Sequence, residues 1–180
     1  YAKDETGRVS AFIATPSSKS FIISKPLETM GLRGSGTCQL SLNDVSVPQE
    51  NLLGKRGEGY DILLLSINVG QLGICAEAVG TAQAALEMSL DYARKRPVRG
   101  KPMFQLPTIQ SYIGEMASRI EAARWLTYKA AALKDEGKGI RKDVAMAKLI
   151  ASQTAVDVTN MAMQIHGSYG YTKDLGIERL

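Results

Sequence analysis

The stretch GEGYDILLLSINVGQLGICAEAVGTAQAALEMSLDYARK, residues 57–95, decides the architecture, because the spacing of apolar residues changes within it. From Glu58 onward there is no proline until Pro97, and the period is helical. Residues 61–95 carry apolar side chains on several faces, together with the small residues Gly70, Gly73, Ala76, Ala78, Gly80, Ala82, Ala84 and Ala85. Small residues let helices approach closely. Gly70 and Gly73 each cost about 1 kcal/mol in a helix interior, so a kink or a close contact is expected near 68–73.

Upstream of that stretch the pattern is that of β structure. Residues 9–13 and 21–24 are short β-prone runs bounded by Pro16, Ser17, Ser18 and Pro26. Cys38, Leu40 and Leu42 alternate with Gln39, Ser41 and Asn43, a period of two. Val45 and Val47 continue on the other parity, which predicts a bulge or tight bend at Asn43-Asp44 before Pro48 ends the strand. Residues 1–48 are therefore expected to hold about three strands of one antiparallel sheet. Three strands with one apolar face need more strands or a packing partner. The first 56 residues thus read as the later strands of a larger β domain.

Downstream, residues 96–107 form a loop rich in breakers: Pro97, Gly100, Pro102 and Pro107. Thr108 is expected to cap a second helix, 109–135, in which Ile109, Tyr112, Ile113, Met116, Ile120, Ala123, Thr127 and Ala130 recur at helical spacing. Gly137 and Gly139 stop it. A third helix is expected over about 141–165. Its stretch 144–163 is apolar or small on nearly every side apart from Lys148, Gln153, Asp157 and Asn160, the pattern of a helix covered from all directions. The chain is too short to surround it, which predicts an oligomer with this helix near a subunit interface. A fourth helix is expected near 174–180. The fold class expected is α+β: a partial antiparallel β domain (1–56) followed by an up-and-down helical bundle (57–180).

Length and composition set the outer bounds. The chain has 180 residues, 44% hydrophobic and 22% charged, which excludes disorder and collagen-like or mucin-like stalks. The apolar run Ile62-Leu63-Leu64-Leu65 falls far short of the roughly 18 residues of a membrane span. The formal net charge of +4 suits phosphate-bearing small molecules and argues little for nucleic acid. Two cysteines, Cys38 and Cys75, without CxxC or metal spacing, fit a reducing compartment and argue against a metal site. A single histidine excludes multi-histidine centres.

Few residues offer chemistry by themselves. His166 has no evident partner and reads as a structural histidine at a helix end; Cys75, between Ile74 and Ala76, reads as core filler. Arg33-Gly34-Ser35-Gly36-Thr37 is either a plain turn or an anion nest, without a P-loop or GxGxxG pattern. The basic segment Arg94, Lys95, Arg96, Arg99 and Lys101 either terminates a helix or supplies guanidinium forks to a pyrophosphate. The run Gln164-Ile165-His166-Gly167-Ser168-Tyr169-Gly170-Tyr171 ends a helix in glycines that let a backbone approach a ligand.

Five motifs in order give the chain a resemblance to the acyl-CoA dehydrogenases. They are Met30-Gly31-Leu32-Arg33-Gly34-Ser35-Gly36-Thr37-Cys38-Gln39-Leu40; Val45-Ser46-Val47-Pro48-Gln49-Glu50-Asn51-Leu52-Leu53-Gly54; Gly57-Glu58-Gly59-Tyr60; Asn68-Val69-Gly70-Gln71-Leu72-Gly73-Ile74; and the run from Gln164 to Tyr171. The resemblance implies the end of a middle β domain and most of a C-terminal four-helix bundle, in a homodimer or homotetramer. It implies FAD as cofactor, desaturation of an acyl-CoA between Cα and Cβ, and an electron-transfer flavoprotein as partner. It further implies that Arg96, Gly100, Gln164, Gly167 and Ser168 contact FAD, with Arg96 reaching the flavin of a neighbouring subunit. Asn68, Gly70 and Gln71 would line the acyl-CoA site.

The chain also departs from the family pattern. Arg99 stands where Phe is usual, Pro107 where a flavin-contacting Gln is common, Gln71 for a frequent Arg, and Ser168 for a Gly. Gly70 occupies the position at which some branches carry the catalytic glutamate, so the base is expected beyond Leu180 and no catalytic residue is named. A cytoplasmic location, or the mitochondrial matrix in a eukaryote, follows from the resemblance. A non-catalytic assembly or binding subunit and an acyl-CoA oxidase are the alternatives.

Overall fold

A computed structural model describes residues 1–16 and 20–180, so the turn expected at Ser17 and Ser18 lies outside the described residues. The chain divides into two compact units, Tyr1–Leu65 and Ser66–Leu180.

Among the described residues the first unit holds five short strands: β1 (Ala2–Lys3), β2 (Val9–Phe12), β3 (Phe21–Ile23), β4 (Leu40–Leu42) and β5 (Leu52–Leu53). They form two antiparallel sheets rather than the one expected, ordered β1-β2-β5 and β3-β4. In the second sheet Phe21 faces Leu42 and Ile23 faces Leu40. The turn between β1 and β2 is built on Asp4. Its Oδ1 accepts hydrogen bonds from the Thr6 hydroxyl at 2.6 Å and the Arg8 backbone N–H at 3.0 Å. The Thr6 hydroxyl, and with it the backbone donors, holds this carboxyl below its ordinary range. The bend expected at Asn43-Asp44 is present, with Asp44 at φ 51. Val45 and Val47 do not continue the strand, because the left-handed residue breaks the ladder and a turn over Gln49–Asn51 follows directly. Where the first helix starts, Gly59 is obligatory: a Cβ there would lie 2.5 Å from the Ser10 carbonyl carbon and 2.7 Å from the Ala11 nitrogen. The Gly57 N–H donates to Ser10 Oγ at 2.9 Å, closing the same corner.

The helices are α1 (Gly59–Lys95), α2 (Pro107–Asp135) and α3 (Arg141–His166). The second unit takes α1 from Ser66 onward. Its core joins Cys75, Val79, Ala82, Ala85 and Ala93 of α1 to Met116, Ile120 and Ala123 of α2 and to Val144, Ala147, Val158 and Ala162 of α3. Ion pairs Arg119 to Asp157 and Lys129 to Asp143 show that α2 and α3 run antiparallel. The helix arrangement is thus up-and-down, and the α+β class stands. Arg119 also grips Glu115, and that hydrogen bond chiefly holds its guanidinium above the ordinary arginine range.

Several boundaries differ from the sequence expectation. Helix α2 begins at Pro107 with Leu106 as an unassisted N-cap, so Thr108 caps nothing. Proline is suited to the first helical position because its missing N–H is one that position does not use. Gly137, at φ 71, ends α2 as expected, with the Lys138 N–H reaching the Leu133 carbonyl. The fourth helix is only one 3-10 turn, Ile177–Arg179. Helix α1 is unbroken through 68–73, and neither Gly70 nor Gly73 has a neighbour within 4 Å of a built Cβ. Helix α3 is not covered on all sides within the chain: Leu149 is 71% and Val156 55% exposed. By length and composition α1 could cross a bilayer (mean hydropathy 1.7 over its most apolar window). Cys75, Ala82, Ala85 and Ala93 of α1 line the core just described, whereas Gly70, Gly73, Ala76 and Gly80 are exposed. Trp125 of α2 is 65% exposed and meets Tyr128 edge-on, ring centroids 6.5 Å apart.

Candidate functional site

The ends of α1 and α3 meet at one end of the second unit. Tyr92, one turn before the end of α1, stacks on His166, the last residue of α3, with centroids 4.6 Å apart and planes at 26°. The Nδ1–H of His166 donates to the Ala162 carbonyl at 2.7 Å, which fixes its tautomer, and the ring is buried. His166 is therefore the structural histidine that its place in the sequence suggests.

On either side of this stack lie two polar segments. The first is a hairpin of β6 (Pro97–Val98) and β7 (Lys101–Pro102), in which Val98 faces Lys101. The sequence showed only a breaker-rich loop. Arg99 at φ 50 and Gly100 at φ 77 form its tip, the left-handed pair that a two-residue type I′ connection needs. The Met103 N–H closes its base on the Arg96 carbonyl at 2.8 Å. The second segment is the 3-10 turn Gly167–Tyr171. Gly167 caps α3 at φ 59, and a Cβ on Gly170 would sit 3.1 Å from both His166 Cβ and the Met163 carbonyl oxygen.

Arg96 joins the two segments, its guanidinium carbon 5.5 Å from the centre of the Tyr169 ring. Gln164, Gly167 and Ser168 are exposed beside it. Arg96, Gly100, Gln164, Gly167 and Ser168 are thus gathered at one end by the fold. Sequence reasoning missed Tyr92; Tyr169 stood in the run from Gln164 to Tyr171, but its place against Arg96 was not visible. Nothing near Tyr92 in the sequence marks it, because its partner is far along the chain. An anion fits the chemistry of this end: a guanidinium held by an aromatic ring, and glycines that leave the backbone bare.

Asn68, Gly70 and Gln71 are not part of that group. They lie on α1 near the other end of the unit, Asn68 and Gln71 half-buried and Gly70 exposed. At about 1.5 Å per residue along an unbroken helix, Gln71 is about 36 Å from Lys95. The turn Arg33–Ser35 in the first unit is flanked by left-handed Leu32 and Gly36 and buries nothing. It has the form of a plain surface turn. Among the described residues no cluster of His, Cys, Asp and Glu could hold a metal. A recess of about 540 Å³ in the first unit is lined by Lys3, Asp4, Ser10, Phe12 and Arg56 together with Val47, Gln49 and Leu52 of the second motif, and by none of the residues expected to contact a cofactor or substrate.

Comparison with known proteins gives concordant results. The family model "Acyl-CoA dehydrogenase, C-terminal domain" matches residues 57–180. An acyl-CoA dehydrogenase of Bacillus subtilis (strain 168) is 44% identical over 172 residues, covering 96% of this chain and 45% of the relative. The structure of butyryl-CoA dehydrogenase from Megasphaera elsdenii superposes with a TM-score of 0.94 at 38% identity, covering 98% of this chain and 47% of that one. A chain from a structure described as the electron transferring flavoprotein of Acidaminococcus fermentans superposes with a TM-score of 0.91 at 42% identity, covering 94% and 45%. The chain therefore spans about half the length of the proteins it matches.

Proposed function

Because the chain belongs to the acyl-CoA dehydrogenase family, whose members are flavoprotein oxidoreductases, we propose that it forms part of an FAD-dependent enzyme that desaturates an acyl-CoA between Cα and Cβ. Residues 57–180 are its helical domain and residues 1–56 part of its β domain. Bound FAD supplies the hydride acceptor for the β-hydrogen. Arg96 binds the FAD diphosphate, and Gly167 and Ser168 let their backbone lie along it, with Gln164 and Gly100 at its edges. Asn68, Gly70 and Gln71 line the acyl-CoA channel. The carboxylate that takes the α-proton comes from outside residues 1–180, since Gly70 offers none. Residues 1–180 alone are inactive in this reading, and the whole enzyme passes its electrons to an electron-transfer flavoprotein.

The observation that carries this reading is the separation of about 36 Å between the two groups of site residues along α1. One small reaction centre cannot use both ends of a single chain. In a homodimer or homotetramer, each chain lends its Arg96 end to a neighbour's flavin and keeps its Gln71 end for its own substrate. The exposed apolar side chains of α3 supply surface for such an assembly.

The test is a substrate scan of the full-length protein with an artificial electron acceptor, across short, long, branched and cyclic acyl-CoAs. Bound flavin that bleaches near ~450 nm on adding one of these thioesters is the expected result. A full-length protein that takes up no flavin under any condition would be an assembly subunit instead, and peroxide formed on turnover in air would make it an oxidase.

A further inference from the structure

The hairpin that carries Arg96 holds a second guanidinium with no structural task. Arg99 occupies the first tip position at φ 50, beside Gly100 at φ 77. Type I′ turns favour Asn-Gly or Asp-Gly there, because a long side chain is disfavoured in the left-handed region. Among the described residues only Leu32 and Asp44 are other non-glycines at positive φ. Arg99 is exposed, and among the described residues no carboxylate pairs with it, nor with Arg94 or Lys101, while Lys95 is neutralised by Asp91 at 2.7 Å. The hairpin thus keeps a strained backbone and uncompensated positive charge where an asparagine would fold better. Strain retained together with charge at a surface loop points to a ligand.

The geometry also indicates which ligand. Arg96 is at the base of the hairpin, held against Tyr169, and Arg99 is at its tip. Three residues of chain put their Cα atoms at most about 10 Å apart. Two guanidinium forks at that spacing suit an anion with two phosphoryl groups, each fork taking one, whereas a carboxylate or single phosphate needs only one. We propose that Arg99 is a second cation for the FAD diphosphate, closing with Arg96 a two-arginine clamp. This rests on the reading of the Arg96 end as a flavin site.

The test uses full-length protein stripped of flavin and titrated with FAD, followed by flavin fluorescence at roughly 50 and 300 mM salt. Arg99→Asn removes the cation while relaxing the turn, and Arg99→Phe removes it while keeping bulk. Both are expected to weaken FAD binding by about 10- to 100-fold and to flatten its salt dependence. Arg99→Lys falls between, and Arg94→Ala stays within about twofold of wild type. The melting temperature of flavin-free Arg99→Asn equals or exceeds that of wild type, which separates a binding role from a folding one. Arg99→Asn binding FAD as tightly as wild type at both salt concentrations overturns the proposal. If Arg96→Ala still weakens FAD in that case, the flavin reading survives alone; if wild type itself binds no FAD, the two fail together.

Discussion

The stretch 68–74 and the opposite end of the second unit belong to the same helix, yet they are finished to different degrees. At the far end, Tyr92, His166, Arg96 and Tyr169 lock one another in place through a stack, a buried hydrogen bond and a cation over a ring. Around 68–74, Ile67, Val69 and Ile74 are exposed, and Gly70 and Gly73 face nothing within 4 Å. The chain completes with its own residues the end that, in our proposal, reaches into a neighbour. It leaves unfinished the end at which substrate would lie. The contrast suggests that a lending group must be rigid before the partner arrives, while a channel is assembled from several pieces of protein.

The strongest way to break the contrast is at Gly170. Gly170→Ala places a methyl 3.1 Å from a backbone oxygen and from the stacked His166, neither of which can withdraw easily. A loss of about 2 kcal/mol in stability is expected, read as a lower melting temperature of the full-length protein. An unchanged melting temperature would mean that this end is softer than it looks. Next, Arg96→Ala is expected to weaken FAD binding by about 10- to 100-fold, measured by titration of flavin-free protein, with the fold intact by circular dichroism. Tyr92→Leu removes the stack on His166 while keeping an apolar side chain against the core, and is expected to cost about 1 kcal/mol, visible in chemical denaturation.

Gly73→Ala sharpens the comparison from the other side. With nothing near its Cβ, alanine should stabilise the isolated chain by up to about 1 kcal/mol through helix propensity. A destabilised or dissociated full-length assembly, seen by sedimentation, would show that another copy packs against this glycine. The smallest effect concerns Cys75, which burial pushes above the ordinary thiol range. In the folded chain it stays a thiol while the unfolded chain ionises, so its contribution to stability is intact below the ordinary thiol value and fades as pH rises above about 9. Cys75→Ala should flatten that alkaline fall, and Cys38, which is half-buried, should react with thiol reagents long before Cys75.

The long helices were legible because their apolar period persists over many turns, as in Met116, Ile120, Ala123 and Thr127 of α2. Their ends were not: Pro107 rather than Thr108 starts α2, a choice set by backbone geometry more than by side-chain capping. Strands β1 and β5 have two residues each, too few to show any alternation. The left-handed Asp44 hid the fact that Val45 and Val47 no longer pair. For the site, the motif residues at 96–100 and 164–168 were visible as basic and glycine-rich punctuation. What brings them together was not, since Tyr92 meets His166 and Arg96 meets Tyr169 across more than seventy residues of sequence. Arg99 was visible as a departure from the family pattern, but only the sign of its φ made it informative.

The lone tryptophan of this chain gives the experimenter a built-in optical probe. Trp125 stands on the outer surface of α2 with its indole largely in water and Tyr128 at its edge. Its emission from an isolated chain should be red and readily quenched by iodide or acrylamide. Any copy or segment that settles on that face would shift the emission to the blue and shield it, so dilution followed by fluorescence reads out association without a label.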